Sequence, residues 1–196
     1  MIPGVVVGLV EQTTGDPDGL GRIRVRYPWL GAAVLSNWCR VAAVFTGNGT
    51  GAFFLPARGD EVLLAFDAGN ENVPYVIGAL WNGRDLPPVQ GEQAQQNVRM
   101  IKTRGGSIIR IDDTADQEQI EIVDQAGNRL LLDAAKKSVT LTAAQDLTVT
   151  ASGTLTLRAA QIALSSSGAA ELKASEGVTI EAGGEVSVQG SVIRLG

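Results

Sequence analysis

The chain has 196 residues, a formal net charge of −5, no histidine and one cysteine, Cys39; its mass is 20.4 kDa and its isoelectric point lies near 4.8. These totals exclude an internal disulfide and a cysteine-rich zinc site, remove the commonest general base and transition-metal ligand, and argue against a protein built to neutralise nucleic-acid phosphates. No apolar run reaches the ~18 residues of a membrane helix and no charged-then-apolar leader opens the chain, so synthesis in the cytoplasm without a signal peptide is expected.

The distribution of residues says more than the totals. All nine aromatics lie between Tyr27 and Trp81, and all seven prolines between Pro3 and Pro88. Residues 1–88 carry 6 basic and 8 acidic side chains, and residues 89–196 carry 10 and 13, so charge does not change where the aromatics and prolines stop. The change is one of architecture. The pattern predicts an all-β chain with a barrel over 1–88, a linker over 89–106 and a repetitive region over 107–196.

In the first part, Gly4 to Val10 reads as a strand, and Asp16-Pro17-Asp18-Gly19 as a turn, in which proline presets one dihedral and glycine supplies another. Arg22 to Tyr27 alternates strictly, as a half-buried strand does. Trp38 to Phe45 is apolar and β-rich, Gly59 to Phe66 is a strand after a turn, and Val73 to Trp81 closes the set. Five or six short strands without a helical pattern suggest a small barrel of the OB type. Such a barrel binds single strands, sugars or other proteins. Arg22, Arg24 and Arg26 share a face that a nucleic-acid reader would use, although a solvated strand face explains them more simply. The aromatics sit mostly within apolar runs, where a core role is expected, with Trp29 and Trp81 as exceptions beside turns. Asp60, Glu61 and Asp67 fit a turn and a strand end rather than a catalytic carboxylate pair.

Pro87-Pro88 stops regular structure, and the linker has a polar stretch from Gly91 to Asn97, short enough for one or two helical turns, and a turn at Thr103 to Ser107. It is too short to hold a catalytic domain.

Beyond it, apolar pairs spaced i, i+2 recur. They are irregular over 107–137, with Ile109 and Ile111, Ile120 and Ile122, Leu130 and Leu132. Over 138–196 they keep steps of seven or eight residues. The first column is Val139, Leu147, Leu155, Ile162, Ala170, Val178, Val186 and Ile193; the second is Leu141, Val149, Leu157, Leu164, Leu172, Ile180, Val188 and Leu195. Small or polar residues between pairs, such as Ala182-Gly183-Gly184-Glu185, read as corners. Residues i and i+2 of a strand share one face. Two aliphatic side chains per repeat make a strip, not a core, and single-chain solenoids use roughly 20 or more residues per coil. Three intertwined copies, each supplying one wall, would meet on a common axis. This predicts a homotrimeric, triple-stranded β-helix needle whose regular part is about 35–40 Å long at ~4.8 Å per stacked strand. The expected core residues are Val139, Leu141, Leu147, Val149, Leu155, Leu157, Ile162, Leu164, Leu172, Val178, Ile180, Val186 and Val188. The apolar rhythm runs to the end of the sequence, so Ile193, Arg194, Leu195 and Gly196 are candidates for docking a separate protein on an otherwise open strand end. No catalytic residue, metal ligand or cofactor site is expected. Glu171, Glu176, Glu181 and Glu185 suit a groove that cleaves polysaccharide, but hydrated corners explain them more simply.

Four ordered motifs now become informative together: Gly21 to Leu30 (GRIRVRYPWL), Trp38 to Ala42 (WCRVA), Gly59 to Phe66 (GDEVLLAF) and Pro74 to Gly78 (PYVIG). They resemble the OB domain of the contractile-tail central spike family, which includes phage baseplate assembly protein V, the spikes of phage-tail-like injection particles and the VgrG proteins of type VI secretion. The eight-residue repeats resemble that family's trimeric needle. The resemblance implies a structural spike, without enzymatic activity, that punctures a target envelope when a sheath contracts. It would be part of a phage virion or tail-like particle, in contact with baseplate and inner-tube proteins and with the target membrane only on firing, and with no nucleic acid as partner. Large members carry a hub domain before the barrel; only three residues precede the first strand here, so a separate hub protein at the OB end is implied. Some members end in a histidine-ligated iron, which this chain cannot form. A PAAR-type tip protein at the C-terminal end is implied instead. The alternative is a glycan- or nucleic-acid-binding OB module on a trimerising stalk.

Overall fold

The computed structural model describes residues 4–31 and 34–194. The chain divides into two units, residues 1–146 and 147–196.

The first unit opens with a curled sheet. β1 (Val5–Gln12), β2 (Arg24–Arg26), β3 (Arg40–Val41), the small hairpin of β4 (Thr46–Gly47) and β5 (Thr50–Gly51), β6 (Glu61–Phe66) and β7 (Pro74–Leu80) follow in chain order. The order across the sheet is β2-β1-β6-β7-β3, with β3 and β7 parallel and the other pairs antiparallel. The two edges meet. Ile23 and Cys39 exchange both main-chain hydrogen bonds, at 3.1 and 2.7 Å, and Arg26 bridges to Leu35. This curled five-stranded sheet is consistent with an OB fold. Alternation explains the core: Val62, Leu64 and Phe66 on β6 point inward and their neighbours do not. They meet Val10, Ile23, Val25, Cys39 and Val76, with Tyr27 and Phe66 at the margin of the cluster. Backbone approach is close at Gly8, where a Cβ would lie 2.7 Å from Leu64 Cδ1. At the expected turn, the Gly19 N–H donates to Asp16 O at 3.2 Å, and Gly19 has φ 64°, a conformation that favours glycine.

Two expectations need correction. The ladder around Trp38 to Phe45 contains only Arg40 and Val41, because the chain then leaves the sheet into the β4–β5 hairpin. The aromatics do not mostly fill the core either. Trp29, Phe45, Phe53, Phe54 and Trp81 are exposed, and only Tyr27 and Phe66 are buried. So small a barrel is filled by aliphatic side chains, and most rings lie in loops and beside turns.

The rest of the first unit is a second sheet. α1 (Glu92–Asn97) is followed by β8 (Val98–Lys102), β9 (Ile108–Asp112), β10 (Gln119–Val123), β11 (Arg129–Asp133) and β12 (Ser138–Thr142). They pair in sequence order as an antiparallel meander. Thus β8 lies inside the segment read as a linker, and the irregular pairs fold back on one another within one chain. Their wider spacing makes room for true turns. At one of them the Asp124 carboxylate accepts hydrogen bonds from the N–H groups of Ala126 and Asn128, both at 2.9 Å. The arginine at the first turn, Arg104, reaches Asp60 at 2.6 Å.

In the second unit the described residues, 147–194, form neither strand nor helix, and all of them are exposed. Among the described residues, no segment of that unit pairs with another. The backbone nevertheless bends at 144–145, 152–153, 160, 167–168, 175–176, 183–184 and 191, always between two apolar pairs.

Candidate functional site

The strongest candidate is the pair of aliphatic columns. All thirteen expected core residues are exposed, from 50% at Val178 to 89% at Leu164. Val139 and Leu141 lie on β12, opposite Leu132 and Leu130 of β11. The others lie on 147–194, whose side-chain hydrogen bonds among the described residues are those of Ser166 with Ala169 and Gly168, besides an exposed Lys173–Glu171 ion pair. Bends and apolar pairs keep one rhythm, so each pair from Leu147 to Val188 lies between two corners. Ile193 and Arg194 are exposed; Leu195 and Gly196 lie outside the described residues.

The three arginines of the alternative reading are mostly engaged. The Arg22 guanidinium donates to Asp16 Oδ1 from Nε at 3.0 Å and from its terminal nitrogen at 2.6 Å, and also reaches Asp18. Asp16 further accepts the main-chain N–H groups of Leu20 and Arg22. The Arg22 hydrogen bond, with these main-chain donors, holds the Asp16 carboxyl well below the usual carboxylate range. Arg24 donates to Ser36 O at 2.8 Å and lies 5.9 Å from the Trp38 ring centroid. Arg26 has no side-chain partner among the described residues. The exposed rings Phe45, Phe53 and Phe54 belong to residues 41–57, which contain no charged side chain. A basic groove lined by stacking rings is therefore not what these residues build.

Of the carboxylates weighed for chemistry, Asp60, Glu61 and Glu171 have partners. Asp60 Oδ2 accepts the Ala57 N–H at 2.8 Å, and Glu61 accepts from Asn82. Glu171 pairs with Lys173, and Glu176, Glu181 and Glu185 are exposed. No group of three metal-ligating side chains occurs among the described residues. No helix among them is long and apolar enough to cross a membrane.

One feature escaped the sequence reading. The meander sets Ile109 opposite Ile101 and Ile122, and Ile111 opposite Ile120, so the irregular pairs form continuous rows across one sheet face. The i, i+2 pairs were legible; that they stack within one chain depends on turns 103–107, 113–118 and 124–128.

Residues 6–81 match the family described as the Type VI secretion system/phage-baseplate injector OB domain. The chain is 32% identical over 133 residues to the Type VI secretion system spike protein VgrG4b of Pseudomonas aeruginosa, a match covering 60% of this chain and 16% of that protein. It is 35% identical over 127 residues to VgrG5 of the same organism, covering 59% and 16%. It is 26% identical over 130 residues to the Actin cross-linking toxin VgrG1 of Vibrio cholerae, covering 61% and 12%. The matches thus span 12 to 16% of the length of these relatives. The four motifs read from the sequence all fall within residues 6–81, the part of the chain that is similar to the injector OB domain, and the chain is similar to VgrG spike proteins over about three fifths of its length.

Proposed function

We propose that this chain is a structural central spike of a contractile injection baseplate, in a phage tail, a tail-like particle or a type VI-like apparatus, and that it works as a trimer without catalytic activity. The observation that carries this reading is the pair of exposed aliphatic columns over 139–193, which from Leu147 onward lie on a segment with no ladder among its described residues and with corners in the same rhythm. Burial of apolar surface at roughly 25 cal/mol per Å² drives such strips together. Three copies give each level six aliphatic side chains around an axis and give each strand neighbours from other copies. A needle whose ladders run between chains resists bending, which suits a part pushed through an envelope when a sheath contracts. The names of the relatives, spike proteins of type VI secretion, support the same role.

In this reading 1–88 is the barrel, 89–106 joins it to the repeats, and 107–196 forms the needle. Ile193 to Gly196 seat a separate PAAR-type tip protein, and a separate hub protein binds at the OB end. The target membrane is met only on firing. The mass of the purified protein in solution tests the reading: three times the 20.4 kDa of one chain is expected, and a folded single-chain particle overturns it.

A further inference from the structure

The positive charge of the barrel is concentrated where its edges meet. Residues 1–88 have 6 basic side chains, all arginine, and four of them, Arg22, Arg24, Arg26 and Arg40, lie close in sequence to the two ends of the Ile23–Cys39 bridge. Ile23 and Cys39 are both 0% exposed. Alternation therefore turns their neighbours outward, with Arg22 beside Arg40 and Arg24 beside Trp38 on the outer face. The whole chain carries −5, so this face is opposite in sign to the molecule around it.

The arginines are held in different ways. Arg22 is neutralised by Asp16 and Asp18. Arg24 is fixed but not neutralised. Its Nε donates to Ser36 O at 2.8 Å and its guanidinium lies 5.9 Å from the Trp38 ring centroid, while its terminal nitrogens have no partner among the described residues. Arg26 and Arg40 make no side-chain hydrogen bond or ion pair among the described residues. The other two arginines of the barrel, Arg58 and Arg84, are paired with Glu11 and Asp85. The unpaired guanidinium groups of the barrel are thus the three on this face. One of them is anchored through Nε with its terminal N–H groups free, the arrangement that takes a carboxylate in a forked contact without first ordering the side chain.

Charge complementarity selects an acidic occupant, and the ring decides which kind. Trp38 is already faced by Arg24, so it offers no platform on which a base would stack. We propose that Arg24, Arg26 and Arg40, beside Trp38, form the docking face for an acidic protein surface, one that presents aspartate or glutamate side chains. In the spike reading above, on which only the partner's place rests, that partner is the hub at the OB end.

Fluorescence anisotropy of a labelled polyglutamate peptide, titrated with the full chain at low salt, tests this. Binding is expected, and it weakens as salt is raised. The double variant Arg26→Gln, Arg40→Gln should weaken it by about tenfold or more. Arg84→Gln, the same loss of charge elsewhere on the barrel, should change it little. Arg24→Lys keeps the charge and loses the fork, and should weaken binding by roughly threefold or more. No binding by the parent, an equal loss in Arg84→Gln, or full affinity in Arg24→Lys each overturns the face. An oligothymidylate of equal charge that binds as tightly as polyglutamate overturns it too, and assigns the arginines to nucleic acid. The mass of the same samples separates this result from the spike reading. A three-chain particle without binding overturns the acidic-partner face alone. A single-chain particle with the expected binding pattern overturns the trimer and leaves the face standing.

Discussion

Leu64 and Leu157 are both aliphatic residues in alternating, β-rich segments, and they meet opposite surroundings. Leu64 is 0% exposed inside the barrel, and Leu157 is 65% exposed on the repeat segment. Alternation supplies each segment with an apolar face; it does not supply a core. The barrel gains one because five strands curl until their edges meet at Ile23 and Cys39, so inward faces oppose one another within one chain. The repeats have pairs of aliphatic residues set between corners and no second wall. The number of walls a single chain can raise around its apolar face separates the barrel, which encloses its own core, from the repeats, whose missing walls the proposed trimer would supply.

The largest effect that sharpens this contrast is expected at Leu157. In a three-chain needle, Leu157→Asp puts three carboxylates at one level of the axis, and an unpaired buried charge costs several kcal/mol. Loss of the three-chain particle in sedimentation is expected. Thr156→Asp, one residue away on the other face, should keep it. If both variants assemble, or neither does, the columns are wrongly assigned. In the barrel the corresponding cut is smaller and local. Leu64→Ala should cost about 2–5 kcal/mol in denaturant unfolding of the barrel and leave the mass of the particle unchanged. A change in that mass would show that barrel and repeats are not independent.

Both regions were readable from sequence to different depths. Strand positions in the barrel followed from alternation and turn chemistry, and Asp16 to Gly19 turns as its residues require. The loop aromatics were misread because a run such as Ala52-Phe53-Phe54-Leu55 looks the same whether it is inside or outside a barrel; only the closure of the sheet decides. The apolar columns were legible because a seven-to-eight-residue rhythm needs no tertiary information. The meander was not, because whether Ile109 and Ile122 come together depends on turns such as Asp124 to Asn128, whose hydrogen bonds reverse the chain. Partners leave no such rhythm within one sequence, and the trimer is inferred from an apolar face with nothing opposite it.

A weaker test concerns the loop that closes over β2. The Asp16 carboxylate, held low first by its hydrogen bond to Arg22 and then by main-chain donors, titrates in the unfolded chain near the ordinary value of about 3.9. The folded value lies below the unfolded one, so the contribution is complete above about pH 4 and is lost as the pH falls through the lower folded value. The thermal midpoint of the barrel should therefore fall on acidification below about pH 4. Asp16→Asn should show a lower midpoint at neutral pH and a shallower fall in that window. Asp85, Asp112, Asp124 and Asp133 are also held low and keep some slope in the variant. Parallel curves for the two proteins would remove Asp16 from the account.

The smallest effect is expected at Tyr27, at the margin of the barrel core. Its ring lies 5.0 Å from that of Trp29 and 6.2 Å from that of Phe66, between centroids, while its buried hydroxyl has no hydrogen-bond partner among the described residues. Tyr27→Phe keeps the ring and removes a desolvated hydroxyl, so stability at neutral pH should stay level or rise by up to about 1 kcal/mol. The alkaline side carries the sharper consequence. Burial, with Cys39 and Glu71 adding to it, pushes the Tyr27 hydroxyl up to about 12, against about 10 in the unfolded chain. The folded value is the higher, so the unfolded chain releases its proton first and stability falls as the pH rises from about 10 to 12. Lysine deprotonation acts on both proteins alike, so the difference between them isolates the phenol. The variant should lose less stability than the parent across that interval, and curves that stay parallel would mean that water reaches the hydroxyl and the barrel is open at that end.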